Sequence, residues 1–261
     1  MNSTGRGIRQ RRLMFPDIDA GLIVPMDHGL TVGPIGGLDT LQSIKRWIGS
    51  RDISAVLLHR GMLECLSRHH LIGSNIGIVL HLNGMSGLAE DTDTKRMITT
   101  VESALQLGAD AVSIQVNFHK TNISHNIEML GAASSTAHSY GVPILVMLYN
   151  KIVENDDGVE GINKLIRMAV ELGVDLLKLE VPRRLEDTRS ILGQFLGDTK
   201  VLFAGGPMDE SSGFLGNIKY ILQQRCNGLC VGRNVFQSPR PRELLAQLAS
   251  MIKEYSPQLA H

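Results

Sequence analysis

The sequence predicts an α/β fold, one closed (β/α)8 barrel, and three observations carry that prediction. Short apolar runs rich in β-branched residues recur eight times along the chain. Amphipathic segments separate several of them, an alternation that marks a parallel sheet. The length of 261 residues suits a single barrel, which typically needs about 250. A doubly wound open sheet fits less well, because it usually has fewer strands and a glycine-rich turn after the first. Here the first run ends in MDHG instead.

The runs, in order, are GLIVPMD (21–27), SAVLLHRG (54–61), IGIVLHLNG (76–84) and DAVSIQVNFH (110–119). They continue with VPILVMLYN (142–150), VDLLKLEVP (174–182), TKVLFAGGP (199–207) and GLCVGRNVF (228–236). TTVESALQLGA and GINKLIRMAVELGV read as helices that a glycine ends just before the next strand. No low-complexity linker divides the chain. Residues 1–261 are therefore read as one domain, with 1–20 as a leader expected to cap the barrel bottom.

Composition narrows the function classes. Lys+Arg and Asp+Glu both number 26, a balance that argues against nucleic acid as the main partner. No apolar run approaches the roughly 18 residues of a membrane span. The basic N-terminus lacks the apolar centre of a secretory signal. Three cysteines without a CxxC pair do not make a disulfide framework; Cys230 reads as a small core residue. The expectation is a cytoplasmic protein.

In such barrels chemistry gathers at the C-terminal ends of the strands. Side-chain alternation along a strand separates Ser113, Gln115, Asn117 and His119 from Val112, Ile114, Val116 and Phe118. The apolar set is expected to face the helices and the polar set the interior. The same parity puts Lys178 with Leu176 and Glu180, Tyr149 with Met147 and Leu145, and Asp27 with Ile23 and Pro25. If these faces are inward, Asp27, Tyr149, Lys178 and Glu180 converge.

A lysine between leucines invites two readings. A central strand avoids charge unless something compensates, so Lys178 is either an interior ion pair with Glu180 or Asp27, or a reactive amine. Desolvation is expected to lower its pKa, and an amine of that kind condenses with ketones to an iminium that acts as an electron sink. Asp27 and Tyr149 are placed to carry the protons. Each also has a plainer role, as a turn cap or a core aromatic. Glu180 is a substrate ligand or the structural partner of Lys178.

AGGP (204–207) and VGRN (231–234) put Gly205, Gly206, Gly232 and Arg233 at the last two strand ends, the usual phosphate corner of a barrel. His28, His59, His81 and His119 lie near strand ends, where hydrogen bonding is favoured over metal ligation. No metal and no cofactor is expected.

VPMDHGLTVGPIGGL, LLHRG, HLNG, GADAVSIQVN, AGGP and GLCVGRNVFQ together resemble the DeoC/LacD-type class I aldolase family over roughly residues 5–255. The branch most similar is that of 2-amino-3,7-dideoxy-D-threo-hept-6-ulosonate synthase, beside archaeal-type fructose-bisphosphate aldolases. The resemblance implies Lys178 as the Schiff-base lysine, Asp27 as the acid/base aspartate and Tyr149 as the proton-shuttling tyrosine. It implies phosphate binding by Gly205, Gly206, Gly232 and Arg233, and His28, Arg60 and Glu180 join the expected substrate contacts. The implied reaction joins dihydroxyacetone phosphate or a phosphorylated keto sugar to an aldehyde such as aspartate semialdehyde, with a product that could feed aromatic amino acid precursors. Fructose-bisphosphate cleavage, thiolase-like acyl transfer and a catalytically silent sugar-phosphate binder stay open. A homo-oligomer is implied, a decamer being one form. Two loops depart from the family: YNKI stands for Tyr-Pro-Arg-Gly after the fifth run, and LEVP followed by Arg183 and Arg184 for Ser/Thr-Tyr-Thr-Gly after the lysine.

Overall fold

The computed structural model describes residues 3–152, 158–194, 197–206 and 213–255. Each of the eight apolar runs contains one strand of a closed parallel barrel. In chain order the strands are β1 (Gly21–Pro25), β2 (Ala55–Leu58), β3 (Gly77–His81), β4 (Asn83–Gly84) and β5 (Arg96–Met97). They continue as β6 (Ala111–Phe118), β7 (Ile144–Asn150), β8 (Leu176–Leu179), β9 (Lys200–Ala204) and β10 (Gly228–Cys230). Around the barrel they run β1-β10-β9-β8-β7-β6-β3-β2, and Gly21 pairs with Gly228 to close it. The pair β4–β5 is a small antiparallel ribbon standing outside the barrel. Two-residue strands leave no periodic trace, so the ribbon is not legible from residue patterning.

Two apolar layers explain why every strand reads as a continuous apolar run. Parallel strands covered on both faces bury both parities. Ile23, Ala55, Leu57, Val79, Ala111, Leu145, Met147, Leu176, Leu202 and Cys230 pack inside the barrel. Leu22, Val24, Val56, Leu80, Val112, Ile114, Val116, Val146, Leu177 and Phe203 pack outward under the helices. Each fully buried Leu, Ile or Val contributes about 1.5–3 kcal/mol relative to an exposed one.

The helices start and stop where local chemistry directs. Helix Val101–Gln106 opens on Thr100, whose hydroxyl accepts the Ser103 N–H at 3.2 Å, a standard N-cap. Helix Gly158–Glu171 ends before Gly173, which takes φ +77°; that left-handed turn suits a residue without Cβ.

At the N-terminal ends of the strands, helix Ser3–Arg11 and the turn after it close the barrel. Leu13 and Met14 enter the inner layer. The backbone oxygens of Arg12 and Leu13 lie where a Cβ on Gly77 or Gly21 would stand. Arg12 donates to Asp110 at 2.9 Å, Asp175 Oδ2 accepts the Ile144 N–H at 2.9 Å, and Lys200 pairs with Asp19. No described helix is long and apolar enough to cross a membrane.

Candidate active site

Strand parity sets the site. Lys178 lies inside the barrel on β8 and is 8% exposed. Its Nζ is 3.6 Å from the sulfur of Met147, one step around the barrel on β7, and the Tyr149 hydroxyl is its other hydrogen-bonding neighbour. Tyr149 is half-buried and packs on the inner layer two residues above Met147. Asp27, just beyond β1, turns into the same space, and its Oδ1 is buried with no hydrogen-bond partner among the described residues. The carboxylate does not cap the turn that follows: helix Gly29–Val32 begins without a side-chain cap.

The electrostatics differ from the simple desolvation picture. Burial does push the Lys178 pKa down, but Cys230, Tyr149 and Asp27 outweigh it, so the ammonium is held above its ordinary range. The expected lowering is therefore corrected. Burial pushes the Cys230 thiol up to about 11. Lys178 works to lower the Tyr149 hydroxyl, but burial with Asp27, Glu180 and Cys230 raises it. Both groups are thus uncharged near neutrality, and the anion facing Lys178 there is Asp27. Burial works to raise the Asp27 pKa, while His81, His28, Lys178 and His59 lower it by more. Because burial drives His81 down to about 3, His81 is neutral at pH 7. Lys178 is then the cation of the pair.

His81, 2% exposed, sits 2.7 Å from the Ser113 hydroxyl. His59 packs edge-on against it at 5.1 Å and donates from Nδ1 to its carbonyl at 3.3 Å. With Asp27, Met26, Leu30, Met62 and Ile98 these rings line a cavity of about 410 Å³. Arg60 borders it, exposed, with Nε bonded to Glu64 at 2.8 Å.

The polar face of β6 forms a hydrogen-bonded wall. Asn83 brackets Gln115, donating to its carbonyl and accepting its N–H, both at 2.8 Å. Gln115 donates to Asn117, and Asn117 to Asp93 at 2.9 Å. His119 does not join this wall; it is exposed beyond the strand end and bonds Thr121 locally. Glu180 is likewise exposed at the rim. The structure brings Lys178 next to Tyr149 and Asp27, not into an ion pair with Glu180.

At β9 and β10 the glycines make room. Gly206 takes φ +73°, and a Cβ on Gly232 would stand 3.0 Å from both His28 Cε1 and the Pro25 carbonyl. Asn234 ties the corner by donating to the Gly205 carbonyl at 2.9 Å. Arg233 is exposed at the first position of the short helix Arg233–Phe236, and His28 packs edge-on against Phe236 at 5.3 Å. Pro207 of AGGP lies outside the described residues. Among the described residues no cluster of His, Cys, Asp and Glu is fit to hold a metal.

Sequence reasoning missed the loop of residues 85–95. It carries Asp93 and a second buried lysine, Lys95, which is 4% exposed. The run DTDTKR reads as a solvated charge cluster, and only the fold buries its lysine.

The chain is similar to known proteins in both sequence and fold. A crystal structure of an archaeal fructose 1,6-bisphosphate aldolase superposes with a TM-score of 0.82 at 25% identity, over 95% of this chain and 99% of that one. The 2-amino-3,7-dideoxy-D-threo-hept-6-ulosonate synthase 1 of Archaeoglobus fulgidus is 31% identical over 246 residues, 94% of this chain and 91% of that protein. The 2-amino-4,5-dihydroxy-6-oxo-7-(phosphonooxy)heptanoate synthase of Streptomyces griseus is 29% identical over 250 residues, 95% of this chain and 90% of that protein. The family model described as DeoC/LacD family aldolase matches residues 21–238. The chain belongs to the DeoC/LacD aldolase family, the class I aldolase assignment that its strand-end residues had pointed to.

Proposed function

We propose that this protein joins dihydroxyacetone phosphate to an aldehyde through an iminium on Lys178. The observation that carries the reading is the buried Lys178 amine between a protonated phenol, Tyr149, and an ionised carboxylate, Asp27. The product named for the Streptomyces griseus relative supports the substrate choice. Its carbonyl at carbon 6 and hydroxyl at carbon 4 place the aldol bond between carbons 4 and 5. Breaking that bond yields dihydroxyacetone phosphate and a four-carbon amino acid aldehyde, aspartate semialdehyde.

In the proposed cycle Asp27 accepts a proton from the Lys178 ammonium, and the freed amine attacks the ketone carbon. As the C–N bond forms, a proton shifts from nitrogen to the former ketone oxygen; the resulting carbinolamine hydroxyl takes a second proton, from Tyr149, and departs as water. The iminium then draws electrons from the adjacent C–H bond, whose proton passes to the Tyr149 phenolate; the enamine attacks the aldehyde carbon, and Tyr149 returns that proton to the new alkoxide. Water adds to the product iminium while the Tyr149 phenolate takes its proton, and collapse of the carbinolamine releases the product ketone and the amine, which recovers its proton from Asp27. Such proton transfers contribute about 10²–10⁴-fold each. The donor phosphate is assigned to Gly205, Gly206, Gly232 and Arg233, beside His28.

Fructose 1,6-bisphosphate as substrate is the second reading, favoured by the likeness to the archaeal aldolase structure. Borohydride reduction in the presence of either sugar phosphate, followed by peptide mass spectrometry, tests both. The expected result is a reduced dihydroxyacetone phosphate adduct on Lys178 that is absent in Lys178→Ala. Tight binding of either sugar with no lysine modified would replace the aldolase reading with a silent binder or an acyl transferase.

A further inference from the structure

Among the described residues, Lys95 is the one buried cation near the mouth to which the proposed cycle gives no part. The loop of residues 85–95 that carries it is held from several sides. On one side Thr31 donates from Oγ1 to the Met85 carbonyl at 3.1 Å and accepts the Gly87 N–H at 2.9 Å. On the other, Asn117 holds Asp93, Asn122 donates to Thr94 at 3.2 Å, and the His125 ring lies 2.8 Å from the Lys95 carbonyl. The β4–β5 ribbon anchors the next residues. The side chain is therefore directed inward by its framework and is 4% exposed.

Yet among the described residues the ammonium makes no ion pair and no hydrogen bond. Asp93, Asp27 and Asp91 act on it from a distance, and its own charge acts on His81. An ammonium drawn partly out of water with no carboxylate in contact loses hydration without compensation, and the groups its charge interacts with include Asp27 and His81, which line the mouth cavity. An anionic ligand group would complete it.

Barrel order says which part of a ligand arrives there. In the circle β1-β10-β9-β8-β7-β6-β3-β2, the glycine corner at β9 and β10 is diametrically opposite β3 and β6, where the 85–95 loop stands. A donor whose phosphate occupies the corner and whose ketone carbon meets Lys178 on β8 extends its new C–C bond away from the corner. That direction leads across the mouth to Lys95.

We propose that Lys95 binds the terminal anion of the acceptor aldehyde, the carboxylate or phosphate remote from its carbonyl, and thereby selects anionic over neutral acceptors. The assignment rests on the aldolase reading above and adds the class of acceptor to it.

The experiment compares the wild type with Lys95→Met and Lys95→Arg, dihydroxyacetone phosphate being saturating. Two quantities are read: borohydride trapping of the donor on Lys178, and kcat/KM for aspartate semialdehyde, glyceraldehyde 3-phosphate and uncharged glyceraldehyde. Lys95→Met is expected to trap donor like the wild type. It should lose about 100-fold in kcat/KM for whichever anionic acceptor the wild type uses, with glyceraldehyde changed by less than about twofold. Lys95→Arg should recover most of the loss. The carboxylate and phosphate arms identify which anion is native. Equal losses for charged and neutral acceptors, an unchanged preference, or loss of donor trapping in both variants would overturn the anchor. If the wild type itself traps no donor, the aldolase reading falls and the anchor falls with it.

Discussion

At the N-terminal end of the barrel, Asp110 accepts both Arg12 and the Ile78 N–H, and Asp175 accepts His138, the Ile144 N–H and the Arg6 guanidinium. At the mouth, among the described residues, Asp27 Oδ1 has no hydrogen-bond partner, Lys178 lies against a methionine sulfur, and Lys95 makes no ion pair. The same residue types are saturated at one end and left open at the other. Satisfied buried charge stabilises a fold, whereas open buried charge is tolerated where a ligand completes it. The contrast separates a structural end from a reactive end without reference to any relative.

The strongest way to break that contrast is Tyr149→Phe, which removes one hydroxyl from the mouth. We expect kcat to fall about 10²–10⁴-fold, with the thermal midpoint nearly unchanged. A fall below about tenfold in steady-state assays would remove Tyr149 from the proton path.

The mirror experiment lies at the other end. Asp175→Ala orphans a buried backbone N–H and strips His138 and Arg6 of their acceptor. It should lower stability by about 1–3 kcal/mol in urea unfolding and leave kcat within about twofold. If kcat falls as far as in Tyr149→Phe, the two ends are not separable.

The smallest expected effect is in pH. His81 titrates near 3 in the fold because burial disfavours its charged form, against about 6.5 in the unfolded chain. Between these values the unfolded state binds the extra proton, so stability is complete above about pH 6.5 and declines as pH falls toward 3. From pH 6.5 to 5.5 the loss should be about 1 kcal/mol, and His81→Asn should flatten that limb. An identical acid limb in the variant would assign it to another group.

Much of the fold was legible because a parallel barrel repeats one simple signal. Two-faced burial makes each strand a short apolar run, and the period-2 rule then sorts Lys178, Tyr149 and Asp27 from their outward neighbours before any contact is known. His119 shows the limit of that rule: β6 ends one residue earlier, at Phe118, and parity says nothing once the pleat stops. The pKa of Lys178 shows another limit. A leucine-rich neighbourhood along the strand implied desolvation alone, while the groups that reverse the shift come from β10, β7 and the end of β1.

The chain by itself determined the eight strands, the shared parity that groups Lys178, Tyr149 and Asp27 with their strand neighbours, and the glycines at the last two strand ends, since these follow from local periodicity and from residues without Cβ. Tertiary structure decided the rest. It set Tyr149 and Asp27 rather than Glu180 as the groups around Lys178, turned His81 and His59 into a neutral wall, and carried Lys95 from a polar run into the mouth. Those outcomes depend on distances between elements far apart in sequence, which only the closure of the barrel sets.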